Sequence, residues 1–224
     1  MIWLILAVLV SALVFGPSFW VRRVMARHGG DRPDLPGTGG ELARHLLDRF
    51  GLEAVEVADS DGPDCYDPTT RAVRLNHQHY GGRSITAVAV AAHEVGHAFQ
   101  HAENYPPFLR RAGIVRTAQV TDTVGSGVLF TLSLVGGVAT SPRLILLGLV
   151  AVGLMGLARV AASIANLPTE HDASFGRALP ILARDGYLTG EDLVAARSVL
   201  RAASYTYVAQ ALAQLINLFR FLRR

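Results

Sequence analysis

Residues Ala87 to His101 read AVAVAAHEVGHAFQH, and inside that run Ala92-His93-Glu94-Val95-Gly96-His97 contains the pattern HExxH. Ser84 can cap a helix that runs without strong breakers from Ile85 to Glu103. Two histidines four residues apart lie one above the other on such a helix, so both imidazoles can reach one zinc ion at about 2.0 to 2.1 Å. Glu94 lies beside them, where it can take the proton of a zinc-activated water. The neighbours Ala89, Ala91, Ala92 and Gly96 are small and permit close packing. Burying three ionisable side chains among them without a metal would be costly. His101 extends the histidine series but stands two turns from His93, roughly 12 Å along a straight helix, so it cannot share that ion. The third histidine of the metzincin pattern is also missing, since Glu103 occupies its place. His77 and His79, just before the helix, are expected on the substrate side or the surface.

Upstream, residues His28 to Gly40 form a linker with Pro33, Pro36 and five glycines. Thr38 and Glu41 then have capping-box spacing, and Leu42, Leu46, Leu47 and Phe50 give a helical apolar stripe closed by Gly51. Ala54 to Ala58 alternates like a strand, and Asp67-Pro68-Thr69 turns the chain into a strand from Arg71 to Asn76. A small sheet is predicted. The Arg71 to Asn76 strand is either a structural hairpin arm or an edge that takes a substrate backbone by strand addition. Cys65 is the single cysteine, which rules out an intramolecular disulfide and reads as a packed thiol.

Half of the 224 residues are hydrophobic and only 17% are charged, against about a quarter in ordinary globular chains. The apolar excess is gathered in blocks. Met1 to Trp20 carries no charge and matches the length of a bilayer crossing. Because Arg22, Arg23 and Arg27 follow it, the next segment is expected in the cytoplasm. Two further blocks, Val124 to Thr140 and Leu144 to Leu167, flank Ser141-Pro142-Arg143 and read as a transmembrane hairpin; a buried helical hairpin is the alternative. Arg159 inside the third block needs a polar partner or must snorkel. Tyr205 to Leu222 reads as an amphipathic helix at the interface or on the catalytic region. No basic stripe marks a nucleic-acid partner. An even number of crossings returns the chain to the side of the motif at Glu170-His171-Asp172, from which a third metal ligand can come. Thr169 is expected to cap a helix there and Asp172 to close the capping box. Glu170 would share its face with Ala173, Ser174 and Arg177, which favours it over Asp172, while His171 would make a chemically possible three-histidine site.

The anchor, the Tyr66-Asp67-Pro68 segment, the long HExxH run, the hairpin and Leu167 to Ala178, LPTEHDASFGRA, together resemble the YugP-like membrane-bound neutral zinc metallopeptidases of bacteria. The resemblance spans nearly the whole chain. It is similar, more distantly, to the HtpX-type and prenyl-protein membrane proteases. It implies a mainly α membrane protein with a gluzincin, zincin-like catalytic domain and a small β-sheet, an N-terminal transmembrane helix and a transmembrane helical hairpin. It further implies Zn2+ held by His93, His97 and Glu170, with Glu94 as general base in peptide-bond hydrolysis. One departure stands out: the relatives carry an aspartate four residues after the glutamate ligand, where this chain has Ser174, with Asp172 at two. Asp172, Arg177, Tyr205 and Tyr207 are then the expected supporting groups or oxyanion donors. The expected layout is an anchor at 1–21, a cytoplasmic zincin-like region at 22–123, the hairpin at 124–167, and a third-ligand helix with amphipathic helices at 168–224. The expected setting is a bacterial-type cytoplasmic membrane crossed several times, with the site facing the cytoplasm. The substrate is expected to be a peptide or protein, membrane proteins included. A metal-binding membrane scaffold without turnover is the rival reading.

Overall fold

The computed structural model describes residues 2–134, 141–184 and 186–205. The chain is mostly helical: α1 (Ile2–Arg27), α2 (Gly39–Arg49), α3 (His77–Tyr80), α4 (Ile85–Ala102), α5 (Pro106–Leu134), α6 (Pro142–His171), α7 (Leu179–Arg184) and α8 (residues 190–205). Strands β1 (Glu56–Ser60), β2 (Cys65–Asp67) and β3 (Ala72–Asn76) form one sheet.

The short-range signals account for α2 and α4. Thr38 and Glu41 close a reciprocal capping box on α2, and Ala43, Leu46 and Leu47 beneath it are fully buried. Ser84 Oγ accepts from Ala87 N at 3.0 Å to start α4. Asn104, at φ 54°, follows its end. Helix α2 packs on α4, and α4 runs through the middle of the core, buried on nearly all sides. Such burial is why its sequence is apolar around the whole circumference apart from the motif.

Strand order is β1-β3-β2, with β1 parallel and β2 antiparallel to β3. The strand from Arg71 onward is therefore central, and the expectation that it offers an open edge is overturned. Both of its sides are paired, at Val57↔Val73 on one and Tyr66↔Val73 on the other. The exposed edge nearer α4 is that of β2.

Helices α5 and α6 pack antiparallel. Leu132 meets Gly148, Gly125 meets Met155, Asp122 meets Arg159 and Arg111 meets Glu170. A Cβ on Gly125 would fall 2.6 Å from Met155 Cγ, so glycine there leaves room for the methionine side chain of the facing helix. Arg159 Nε donates to Asp122 Oδ2 at 2.9 Å, which supplies the polar partner the arginine needs. The outward sides of the pair are apolar and exposed, with Phe130, Leu134, Leu146 and Leu157 each more than half exposed. Among the described residues one helix is long and apolar enough to cross a membrane, the continuous run Pro142–Arg184.

That run corrects a further expectation. No helix starts at Thr169: α6 continues through Pro168 to His171 and passes into a π-helical turn over Asp172–Ala178. Proline forfeits one N–H bond, which a long packed helix tolerates, so no break follows and Thr169 needs no cap role. Its hydroxyl is instead buried without a hydrogen-bond partner among the described residues. Tyr207 and the amphipathic stretch after Tyr205 lie outside the described residues.

Candidate metal centre

Helix α4 presents His93, Glu94 and His97 to a cavity of ≈ 530 Å³, and α6 ends by bringing Glu170 into it. Glu170 Oε2 lies 3.2 Å from His93 Nε2 and 3.4 Å from His97 Nε2. Three atoms on a tetrahedron about 2.0 to 2.1 Å from a zinc ion stand about 3.3 Å apart. The separations fit one ion bound between these three side chains. Their ligand atoms lie within 4.8 Å of one another, and all three residues are buried. Neither His171 nor Asp172 is in the group. His171 is exposed beside Phe175, ring centroids 5.0 Å apart.

The tautomers suit a metal. His97 Nδ1–H donates to Gln100 Oε1 at 2.9 Å, which leaves its Nε2 lone pair for the centre, and His93 Nδ1 lies 3.0 Å from Ser174 Oγ, a hydroxyl that can serve either tautomer. Gln100 Nε2 in turn donates to Thr169 O and to Asp172 Oδ2, both at 2.8 Å. Asp172 also accepts from Arg177 Nε at 2.7 Å, and Arg177 pairs with Glu103 at 2.9 Å. Asp172 and Arg177 thus lie behind His97, outside the cavity wall. Ser174 holds the place beside His93, with Ser204 Oγ 2.9 Å behind it. Gln100 and Ser204 were missed in the sequence. Gln100 had a signal, a lone amide one helical turn after His97; Ser204 had none.

Gly96 permits the arrangement. A Cβ at this position would stand 2.8 Å from Ala173 O and 3.3 Å from Ala173 Cα, so only glycine lets α4 lie against the π-helical turn. π-Helical turns recur at functional sites. This one carries Ser174 to His93 while Glu170, on the preceding turn, reaches both imidazoles.

The electrostatics separate the two glutamates. Burial pushes the Glu94 carboxyl up to about 7, with the charges of Glu170 and Asp64 adding to it and His93 and the Tyr66 amide opposing. Tyr66 N donates to Glu94 Oε2 at 2.8 Å, so the edge of β2 fixes this side chain. Burial also pushes Glu170 upward, but the imidazoles of His93 and His97 outweigh it and hold the carboxyl well below the usual carboxylate range. Arg111 Nη1 lies 3.4 Å from Glu170 Oε1. His101 bonds the Tyr66 hydroxyl at 2.8 Å. Tyr205 stacks edge-on against Trp20, centroids 6.1 Å apart, and lines a different hollow with Leu167 and Phe175.

A family model described as "Putative neutral zinc metallopeptidase" matches residues 2–224. The chain belongs to this family of neutral zinc metallopeptidases. The chain is also 37% identical over 223 residues to the protein named "Putative membrane protease YugP" of Bacillus subtilis strain 168, covering 99% of this chain and 95% of that one. No solved structure matches it. Zinc is the metal of the family, and His93, His97 and Glu170 form the buried cluster able to hold it.

Proposed function

We propose that this metallopeptidase is a multi-pass membrane zinc endopeptidase that hydrolyses peptide bonds of proteins, membrane proteins included, at the cytoplasmic face. The observation that carries this reading is the meeting of His93, His97 and Glu170 around one point with Glu94 beside them. Zinc, when bound, supplies a Lewis acid that polarises water and the scissile carbonyl. Glu94 takes the proton of the attacking water and passes it to the leaving amine. The Tyr66 amide occupies Glu94 Oε2 and leaves Oε1 for water. Substrate enters beside Pro63 to Tyr66, along the outer edge of β2, since β3 is paired on both sides.

The membrane part of the reading rests on exposed apolar faces and on charge. Arg22, Arg23 and Arg27 follow the apolar part of α1, and Arg110, Arg111 and Arg116 precede that of α5, all on the side of the metal cluster. Arg143 stands alone at the far end of the hairpin. That asymmetry supports a cytoplasmic position for the cluster. The chain then forms a gluzincin-type site between an anchor, α1, and a membrane hairpin, α5 and α6.

The test is Glu94→Gln, which keeps the size of the side chain and removes its basicity. Casein hydrolysis by purified protein is expected to fall by about 10³ or more while zinc content stays at the parental level. Undiminished hydrolysis removes Glu94 from the reaction. A zinc-loaded parent that cleaves nothing favours a scaffold without turnover.

A further inference from the structure

The cavity over the metal cluster contains an oriented histidine to which the reaction above assigns no task. His79 lines the same wall-to-wall space as Glu94 and Glu170, and so does Asp64. His79 Nδ1 lies 2.8 Å from Asp64 Oδ2 and 3.0 Å from Asn76 Nδ2. Asp64 also accepts from Asn76 N at 2.9 Å and from Asn76 Nδ2 at 2.8 Å. Asn76 Oδ1 accepts from His79 N at 3.0 Å, so the residue that caps α3 also fixes the backbone beneath the ring. Only 18% of either partner's side chain is exposed. A carboxylate can only accept, so the 2.8 Å contact with Asp64 puts a hydrogen on His79 Nδ1. Nε2 is the remaining polar atom of the ring and has no hydrogen-bond partner among the described residues.

Hydrolysis through a tetrahedral intermediate needs a donor for the developing oxyanion. Arg177 is engaged with Asp172 and Glu103 outside the cavity, and Tyr205 stands in another hollow. Within the cavity, His93 and His97 belong to the metal cluster, the Tyr66 hydroxyl is engaged with His101, and Arg111 stands against Glu170. Cys65 offers only a weak S–H. His77, two residues before His79, is bound between Asp59 and Asp61 at the surface.

We propose that His79, held in place by Asp64, is a catalytic residue that donates a hydrogen bond from Nε2–H to the oxyanion of the scissile carbonyl. Asp64 is the positioning residue and supplies the counter-charge. This inference rests on the peptidase reading and extends it to a second wall of the cleft. The oxyanion is then met from α3, while α6 delivers Glu170 to the same cavity.

The experiment compares the parent with His79→Leu, His79→Gln, Asp64→Asn and His77→Gln, all in the zinc-loaded full chain. His79→Leu is expected to lower kcat on labelled casein by about 10² to 10³ with KM and zinc content unchanged. His79→Gln, whose amide can still donate, is expected to recover part of that loss. Asp64→Asn is expected to lower kcat at constant KM, a split that mere loosening of the loop would not give, and His77→Gln is expected to match the parent. Calorimetry with a phosphinic peptide, whose tetrahedral anion imitates the oxyanion, reads the contact without turnover. Its affinity is expected to drop at least about tenfold in His79→Leu. Parental kcat together with parental phosphinic-peptide affinity in both His79 variants overturns the proposal. If the zinc-loaded parent binds the phosphinic peptide but cleaves nothing, the peptidase reading fails separately and calorimetry alone decides the His79 contact.

Discussion

Glu94 and Glu170 are two carboxylates in one cavity whose surroundings drive their proton affinities apart. For Glu94 the consequence is measurable in the zinc-free protein. Its folded pKa lies above the ordinary 4.5, so the unfolded chain gives up this proton first as pH rises. The penalty for burying Glu94 is absent below about pH 4.5, grows as pH rises, and is complete above about 7, where it amounts to roughly 3 kcal/mol. Thermal melts of zinc-free parent and Glu94→Gln are therefore expected to converge at low pH and diverge across this window, with the parent the less stable above it. Parallel curves would mean that Glu94 titrates normally. The motif residues were legible because a four-residue spacing fixes which side chains share a helix face. Gln100 shows what spacing leaves out: its amide tells nothing of its partner until Thr169 and Asp172 are placed beside it. Asp172 was expected near the site, but its bond to Gln100 crosses between helices and no local pattern encodes it.

At the scale of elements, the capped helices α2 and α4 were readable from short-range chemistry, whereas strand order and the junction after the hairpin were not. Nothing within Arg71 to Asn76 itself tells an edge strand from a central one. Only the return of β2 onto its second side, after the parallel pairing with β1, makes it central. The continuation of α6 through Pro168 likewise depends on packing over its whole length and not on the local proline. Contact between α4 and the π-helical turn gives a sharp test. Gly96→Ala would place a methyl against the backbone of Ala173, so something must shift. A loss of roughly 1 to 3 kcal/mol is expected, together with weaker zinc binding, because the two halves of the ligand set are pushed apart. Gly113→Ala in α5 is the contrast: its methyl meets nothing within 4 Å, and helix propensity favours it by about 0.5 to 1 kcal/mol. Equal effects of the two substitutions in chemical unfolding and zinc competition would show that the close approach at Gly96 does not matter.

For the whole molecule, the apolar blocks were visible in composition, and the antiparallel pairing of α5 with α6 follows from where Asp122, Gly125 and Arg111 find their partners. The sidedness of the membrane is a separate matter that charge asymmetry alone addresses. In a Cys65→Ser background, a cysteine at Ser141 is expected to react with an impermeant thiol reagent on intact cells, while one at the exposed Thr70, in the turn between β2 and β3, reacts only after lysis. The reverse pattern would put the cluster outside. The account depends most on one ion held by two imidazoles and a carboxylate drawn from either side of the hairpin. X-ray absorption at the zinc edge of the purified, zinc-loaded chain reads those ligands directly, with Glu170→Ala as the comparison. One zinc per chain is expected, with two imidazole nitrogens at about 2.0 to 2.1 Å, oxygen neighbours completing the shell, and loss of the bound ion in Glu170→Ala. A sulfur neighbour at about 2.3 Å, which Cys65 would supply, a third imidazole, or a spectrum unchanged in Glu170→Ala would contradict it.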